Sequence, residues 1–302
     1  MDKKDVPAAI LRYYKATDEN LEALETPYIF LFNANEWKDQ TELQFEIDIS
    51  DKVQLRKFIE EVISAQMALP KSSVAYRMYF TLRYNLLNEY RIAEVVSGSA
   101  GEKDKVVELL MKKILADPKL QDRKGLIRSN FFSSTGISCF TFDQTSLIEK
   151  FHWDAFTIAG TGFCVEYDWS KLMTYFAEKN AGIRGEPVSY YSKKDRPKLI
   201  LSSSFSQAVV DNYCEIIFSL GQSLKEEKEF RLAKVYPVDL GDKDPLRKQT
   251  IPPDAVTSVV MGPDIDSAFQ DRVIAAGKKM NKKVKFLKVK KRLVYELIPL
   301  NS

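Results

Sequence analysis

The residues best suited to polar chemistry lie in one charged stretch, Lys225-Glu226-Glu227-Lys228-Glu229-Phe230-Arg231-Leu232. Alternate side chains of an extended strand share a face, so a strand here would place Glu227, Glu229 and Arg231 on one side. The hydrophobic residues between and after them would face the core and fix the direction of the charged side chains. We therefore predict a polar site floor here, with a solvated helix end that runs into an edge strand as the alternative.

A second candidate is Arg12, the cation in the middle of an apolar segment at residues 9–16. The branched and aromatic residues around it, Tyr13 and Tyr14 among them, favour a strand. A charged group inside an apolar strand needs a partner of opposite charge. We therefore expect Arg12 to face an anion.

The scarcity of histidine argues against several kinds of catalytic site. His152 is the only histidine in 302 residues, so we expect neither a two-histidine zinc site nor a relay with a second imidazole. A Ser or Cys nucleophile beside His152 would lack the usual strained turn. The pattern Gly160-Thr161-Gly162 is too short to indicate a phosphate loop. We interpret His152, between Phe151 and Trp153, as a packed residue.

The composition is that of a folded protein with a large core, at 45% hydrophobic and 12% aromatic residues. The sequence contains no run of about 18 apolar residues, and its first residues, Met1-Asp2-Lys3-Lys4-Asp5, begin no apolar signal segment. We therefore expect a cytoplasmic protein without a membrane span. Cys139, Cys164 and Cys214 have apolar neighbours, which indicates reduced core residues, not disulfides or metal ligands.

The net charge is +3, but the charged residues are unevenly distributed along the chain. Residues 278–292 form a strongly basic segment that contains no acidic residue. We predict that it forms a helix end and an edge strand that lysine protects from aggregation. The alternative is a surface that contacts a nucleic acid or a protein acceptor. The lysines available for that contact are Lys278, Lys282, Lys283, Lys285, Lys288, Lys290 and Lys291.

A mixed set of strands and helices must position these residues. Strand patterns occur at residues 9–16, 28–32, 136–142, 162–168 and 256–262, a long helix pattern at 205–224, and a closing hairpin at 284–287 with 293–298. Residues 50–117 show long helical periodicity. We therefore predict one elaborated α+β domain over residues 1–302, with a central mixed or antiparallel sheet and a helical insertion at 50–117.

Several segments resemble the bacterial family catalogued as domain of unknown function 2971. The segments are Leu11-Arg12-Tyr13-Tyr14, Ile29-Phe30-Leu31-Phe32, Gly162-Phe163-Cys164-Val165-Glu166-Tyr167-Asp168, Glu227-Lys228-Glu229-Phe230-Arg231 and Val259-Val260-Met261-Gly262. The chain departs from the family pattern in two places: Lys38-Asp39-Gln40 keeps only the aspartate of Asn-Asp-Pro, and Ala155 replaces a histidine. The family name implies no activity.

The order of the segments also resembles the layout of ADP-ribosyltransferases: an initial strand with a central cation, an aromatic middle and a late strand with Glu-x-Glu. The resemblance implies a fold of that kind and transfer of ADP-ribose from NAD, by a toxin or an anti-phage defence effector. It implies that Glu229 is the catalytic carboxylate, which stabilises an oxocarbenium-like ribose. Glu227 would orient the acceptor.

The same resemblance implies the cofactor contacts. Arg12 would bind the phosphates or the ribose of NAD, and Tyr14 or Trp153 would stack on nicotinamide. Arg231 would contact the cofactor or serve as an intramolecular ion-pair partner of Glu229.

Two other function classes stay open. A non-catalytic regulatory module would use the basic segment and the helical insertion to bind nucleic acid or a partner protein. A metal-dependent nuclease would need Glu226, Glu227 and Glu229 to converge on a divalent ion, with Lys228 beside them.

Overall fold

The computed structural model describes residues 7–34, 43–68, 102–123, 135–200, 214–236, 240–241, 243–291 and 294–300. Within these ranges, nine strands form one mixed sheet and three pairs of short strands lie outside it. Helices and this sheet occur together along the chain. The predicted α+β class with a central mixed sheet is therefore confirmed.

The described strands, in chain order, are β1 (Ala9–Tyr14), β2 (Tyr28–Phe30), β3 (Phe32–Asn33), β4 (Glu46–Asp48), β5 (Thr135–Thr141), β6 (Phe163–Asp168), β7 (Ile183–Pro187), β8 (Ser189–Tyr191), β9 (Lys198–Ile200), β10 (Ser219–Gly221), β11 (Glu229–Val235), β12 (Lys248–Thr250), β13 (Val256–Met261), β14 (Lys285–Lys290) and β15 (Glu296–Pro299). The α-helices with both ends described are α1 (Asp18–Glu25), α2 (Lys52–Ala68), α3 (Lys103–Leu115), α4 (Lys150–Thr157), α5 (Trp169–Glu178) and α6 (Ser267–Met280). Short 3₁₀ helices include Gln144–Ile148 and Gln222–Glu227.

The large sheet has the strand order β15-β14-β13-β6-β1-β5-β11-β7, and β3 also pairs with β5. Its neighbouring strands are antiparallel except β13 and β14, which are parallel and are joined through α6. A parallel pair needs such a crossover because a tight turn can only reverse the chain. β1 lies inside the sheet, paired along its whole length with β6 from Ala9↔Asp168 to Tyr14↔Phe163.

Both faces of the sheet are covered, which explains the long apolar runs in its inner strands. On one face, Ile10 and Tyr14 of β1 join a core cluster with Phe163, Trp169 and Phe230. On the other face, Leu11 packs with Trp153, Cys164 and Val260. Since alternate residues of a strand share a face, Arg12 lies on the same side as Ile10 and Tyr14.

The described parts of the segment at 50–117 are mainly helical. α2 and α3 bury Leu55, Phe58, Leu110 and Ile114 in a core cluster that also includes Ile137 of the sheet. The three-and-four spacing of these residues produces one apolar stripe on each helix. Residues 69–101 of the predicted helical insertion lie outside the described residues.

Two predicted elements are wrong in whole or in part. The helix expected over 205–224 is confirmed at 214–217 and wrong from 219 onward, where β10 pairs with β8 through Leu220↔Tyr190 and a 3₁₀ helix follows. Residues 205–213 lie outside the described residues. The protected edge expected at 278–292 is not an edge, because β14 lies between β13 and β15. The pairing of β14 with β15 agrees with the predicted closing hairpin.

Strand β7 and helix α5 were not predicted from the sequence. The start of α5 has a sequence signal, because Asp168 is a favourable N-cap residue and accepts a hydrogen bond from the Lys171 N–H.

Among the described residues, no helix has both the length and the apolar character needed to cross a membrane.

Candidate functional site

The candidate site begins with a gap in the sheet between β1 and β5. These two strands pair at a single position, Leu11↔Thr141. Farther along the same edge of β5, β3 pairs at Ile137 and Gly136. Between these contacts, residues 138–140 of β5 have no strand partner on that edge within the described part of the chain. The two strands therefore separate beyond Leu11 and Thr141, which leaves room for a cleft.

A cleft of about 550 Å³ lies at this gap, a size in the range of small-molecule sites. β1 supplies one side of the cleft and β5 supplies the other, while the turn before β11 and the first residue of β11 supply one carboxylate each. The lining residues are Leu11, Arg12, Tyr13, Tyr14, Lys15, Asn20, Phe32, Ile137, Cys139, Phe140, Thr141, Phe156, Glu227 and Glu229. Four of the six residues assigned from the sequence resemblance, namely Arg12, Tyr14, Glu227 and Glu229, therefore lie in one cleft.

Arg12 is held by aromatic rings. Its guanidinium carbon lies 5.1 Å from the ring centre of Tyr14, 5.6 Å from that of Phe32 and 5.5 Å from that of Phe140. Its side chain forms no ion pair with any carboxylate in the described residues. Cation–π contacts leave the guanidinium N–H groups available, so Arg12 can bind an anion in the cleft.

Glu229 and Arg231 form a buried ion pair on one face of β11. Arg231 Nε donates to Glu229 Oε1 at 2.8 Å, and Arg231 Nη2 donates to Oε2 at 3.2 Å. Arg231 also donates from Nη1 to the carbonyl oxygen of Ile217 at 2.7 Å. Arg231 is fully buried and does not line the cleft. Glu229 lines the cleft and is 5% exposed. Arg231 therefore orients the carboxylate but has no access to a ligand in the cleft.

The strand predicted at residues 225–232 is wrong before Glu229, where the chain forms a turn. Glu227 ends the 3₁₀ helix Gln222–Glu227, and β11 begins only at Glu229. The residue between them, Lys228, has the left-handed values φ 47° and ψ 49°. The two carboxylates therefore do not follow strand alternation, although both line the cleft. Alternation does hold from Glu229 onward, since Phe230 and Leu232 pack in the core on the opposite face from the ion pair.

The two aromatic candidates have different positions. Tyr14 lines the cleft, and its ring stacks on Phe163 at 5.2 Å between centres. Its hydroxyl lies 2.7 Å from the hydroxyl of Tyr167. Trp153 is fully buried outside the cleft, where its Nε1 donates to the carbonyl oxygen of Leu147. Trp153 packs edge-on against Tyr13, so it supports a residue of the cleft wall and does not reach a ligand itself.

His152 is buried behind the cleft, as the prediction of a packed residue requires. Its ring lies 6.0 Å from that of Tyr13 and 6.0 Å from that of Phe156, both of which line the cleft. Burial lowers the pKa of His152, although the nearby carbonyl of Glu227 and the carboxylate of Glu149 oppose the shift. The neutral imidazole is therefore favoured.

The prediction that all three cysteines are core residues is wrong for Cys139. Cys164 is buried and Cys214 is partly buried, but Cys139 is exposed and lines the cleft. None of the three forms a disulfide with a described residue. Sequence reasoning also missed Phe32 and Phe140, whose rings enclose Arg12; their position depends on the β3–β5 and β1–β5 pairings, which local patterns do not encode.

The basic segment divides into paired and unpaired lysines. Lys279 pairs with Glu25, Lys291 pairs with Asp264 at 2.5 Å, and Lys288 donates to Gln270 at 2.8 Å. The exposed lysines of this segment with no ion pair to a described residue are Lys278, Lys282, Lys283, Lys285 and Lys290.

No group of three or more His, Cys, Asp or Glu side chains in the described ranges is placed to hold a metal ion. The carboxylates at 226–229 therefore gain no support as a metal-dependent nuclease site. Comparisons with protein-family models, with curated proteins and with solved structures found no match.

Proposed function

We propose that the protein is an ADP-ribosyltransferase-like enzyme that binds NAD in the cleft between β1 and β5. The observation that supports this proposal is that Arg12, Tyr14, Glu227 and Glu229 line one cleft. An anion-binding arginine at one part of the cleft and carboxylates at another match the opposite charges of a pyrophosphate and a cationic ribose in the transition state.

In the proposed reaction, the bond between the ribose C1′ and the nicotinamide nitrogen breaks, and nicotinamide leaves as a neutral molecule. The positive charge that develops on the ribose is stabilised by the Glu229 carboxylate. Each carboxylate oxygen has a second acceptor site, so Glu229 can bond to a ribose hydroxyl while it remains paired with Arg231. The acceptor then attacks C1′ and releases its proton, for which Glu227 is the proposed orienting group and base.

The remaining NAD contacts are assigned to residues that line the cleft. Arg12, which forms no ion pair with a described carboxylate, binds the phosphates, and of the two aromatic candidates Tyr14 is the one that lines the cleft beside nicotinamide. Trp153 and Arg231 act indirectly, because both are fully buried outside the cleft. In the same proposal the fold is of the ADP-ribosyltransferase kind, and the protein serves as a toxin or an anti-phage defence effector that consumes or transfers ADP-ribose.

Glu229→Gln tests the proposal. We expect the wild-type protein, incubated with NAD and cell extract, to consume NAD and to transfer labelled ADP-ribose to an acceptor. Glu229→Gln should lower this rate by about a hundredfold or more, because the variant lacks the charge that stabilises the ribose cation. The matched control is Glu226→Gln, an exposed glutamate of the same turn that does not line the cleft.

A binding measurement separates loss of chemistry from loss of substrate. Cys139 is the exposed thiol in the cleft, so bound NAD should slow its alkylation in both the wild type and Glu229→Gln. Equal NAD levels with wild type and Glu229→Gln, together with unchanged alkylation of Cys139, would refute the proposal.

A second candidate function is binding of a nucleic acid or a protein by the basic segment. The observation that favours it is the group of exposed lysines without ion pairs, including Lys282 and Lys283. Such a surface would serve a non-catalytic module, and it would equally deliver an acceptor to the enzyme.

A further inference from the structure

Lys228, which separates the two cleft carboxylates of Glu227 and Glu229, has an unusual backbone conformation. Its φ of 47° and ψ of 49° lie in the left-handed region, which residues with a Cβ rarely adopt. The Lys228 N–H donates to the carbonyl oxygen of Lys225 at 3.2 Å, and the Glu229 N–H donates to the hydroxyl of Tyr190 at 2.8 Å. A local conformation of this kind persists when surrounding contacts hold it.

The side chain of Lys228 supplies such contacts. Its Nζ lies 2.6 Å from Asp143 Oδ2 and 3.2 Å from Glu149 Oε1. Asp143 caps the 3₁₀ helix Gln144–Ile148, and Glu149 is the residue that precedes α4. Lys228 is half-buried, and hydrogen bonding to Asp143 raises its pKa, so the ammonium group stays charged. The turn is thereby tied to the wall formed by α4.

His152 extends the same connection to the backbone of Glu227. Its Nδ1 lies 3.1 Å from Glu149 Oε2, and its Nε2 lies 3.5 Å from the carbonyl oxygen of Glu227. Nδ1 forms no hydrogen bond among the described residues, so His152 contacts the turn through Nε2. The ion pairs of Lys228 and the contact of His152 Nε2 all end on residues 227–228, immediately before Glu229.

We propose that Lys228 is a positioning residue, which holds Glu227 and Glu229 in the cleft through its ion pairs with Asp143 and Glu149. Lys228 itself does not line the cleft, so it acts through the two carboxylates. The inference rests on the proposed function for its catalytic consequence, but the restraint on the turn is independent of any substrate.

The test compares Lys228→Met, which removes the ammonium group, with Lys228→Arg, which keeps a cation able to reach both carboxylates. Hydrogen exchange over residues 225–231 measures the restraint without a substrate. We expect the amides of Lys228 and Glu229 to exchange about tenfold faster in Lys228→Met, and at the wild-type rate in Lys228→Arg. Lys225→Met is the matched control, because Lys225 is exposed in the same turn and has no ion pair with a described residue.

Kinetics provide the second measurement. With NAD as substrate, Lys228→Met should lower kcat about tenfold and leave KM within about twofold, because phosphate contacts at Arg12 are unchanged. Lys228→Arg should restore kcat. A general loss of structure would lower the melting temperature and raise KM as well. Should Lys228→Met fail to fold, Glu149→Gln removes one charge of the same connection with little change of shape.

The two proposals fail in different ways. If the wild type does not consume NAD, the proposed function is wrong, and exchange at residues 225–231 still decides whether Lys228 restrains the turn. If Lys228→Met exchanges like the wild type and like Lys225→Met, the positioning role is wrong. Faster exchange with an unchanged kcat would also overturn it.

Discussion

Two arginines of the site illustrate how pairing decides what a charged residue can do. Arg231 is fully buried and uses three nitrogen atoms on Glu229 and on the carbonyl of Ile217. Removing either member of a buried pair leaves an uncompensated charge, which typically costs about 3–5 kcal/mol. Arg12 instead rests against three aromatic rings, contacts worth about 0.5–2 kcal/mol each. Arg231 is therefore a structural cation, whereas Arg12 lines the cleft and is available to a ligand.

The single histidine predicts how the stability of the folded protein depends on pH. Burial lowers the pKa of His152 in the folded protein, whereas the unfolded chain titrates near its ordinary value of about 6.5. Below that pH the unfolded state gains a proton that the folded state does not, so stability falls as the pH decreases. By pH 5.5 the loss reaches at most about 1.4 kcal/mol, and it stops growing below the folded pKa.

Urea unfolding at pH 7.5 and pH 5.5 measures this loss in the wild type and in His152→Gln, which should lack this contribution. Because the chain has one histidine, a single imidazole signal in the NMR spectrum reports its protonation directly. An imidazole that titrates at or above its ordinary pKa in the folded protein would contradict the prediction.

At the scale of the element, β1 connects the core to the cleft. Its pairing with β6 runs over its whole length, but its pairing with β5 stops after Leu11↔Thr141. The backbone at the end of β1 lies close to the start of β6, where a Cβ built on Gly162 would be 1.9 Å from the carbonyl oxygen of Tyr14. A glycine is required at this position because no side chain fits between the two backbones.

Gly162→Ala should therefore move the end of β1 or the start of β6 and lower stability by at least about 2–3 kcal/mol. The matched control is Gly221→Ala, where the nearest atom to a new Cβ is 3.8 Å away and the φ of −63° suits alanine. Chemical denaturation of the two variants measures the difference. Equal stability of both variants would show that the end of β1 adapts freely.

For the whole molecule, charge is distributed unevenly around a modest net value of +3. On one side, the acidic residues of α1 neutralise cations of α6, as in the pairs of Asp18 with Arg272 and Glu25 with Lys279. Beyond the end of α6, Lys282 and Lys283 are exposed and have no such partner among the described residues. This part of the surface is where a polyanion would bind.

Lys282→Gln/Lys283→Gln tests that surface. If it binds nucleic acid, the double variant should weaken retardation of an oligonucleotide and reduce the slope of log affinity against log salt by about 2, because two phosphate contacts are lost. Lys193→Gln/Lys194→Gln removes the same charge from another exposed lysine pair and should leave binding unchanged. Absence of any salt-dependent retardation by the wild type would exclude this role.

Much of the fold follows from local patterns. The apolar runs of β1, β6 and β13 and the helical stripes of α2 and α3 are visible in the sequence, because burial on a strand or helix repeats with a fixed period. The same alternation identified Glu229 and Arg231 as neighbours on one face of β11. It failed for Glu227, because the left-handed Lys228 interrupts the strand, and that conformation depends on contacts with Asp143 and Glu149.

The sequence by itself determined the class of fold, most strand positions and the residue types suited to polar chemistry, since these depend on neighbours along the chain. Only the tertiary structure decided which of them meet. It brought Arg12 and Glu229, more than 200 positions apart, to one cleft and left Trp153 buried outside it. The physical reason is strand pairing: the cleft exists because β1 and β5 pair at one position and then part, and that register is a property of two distant segments.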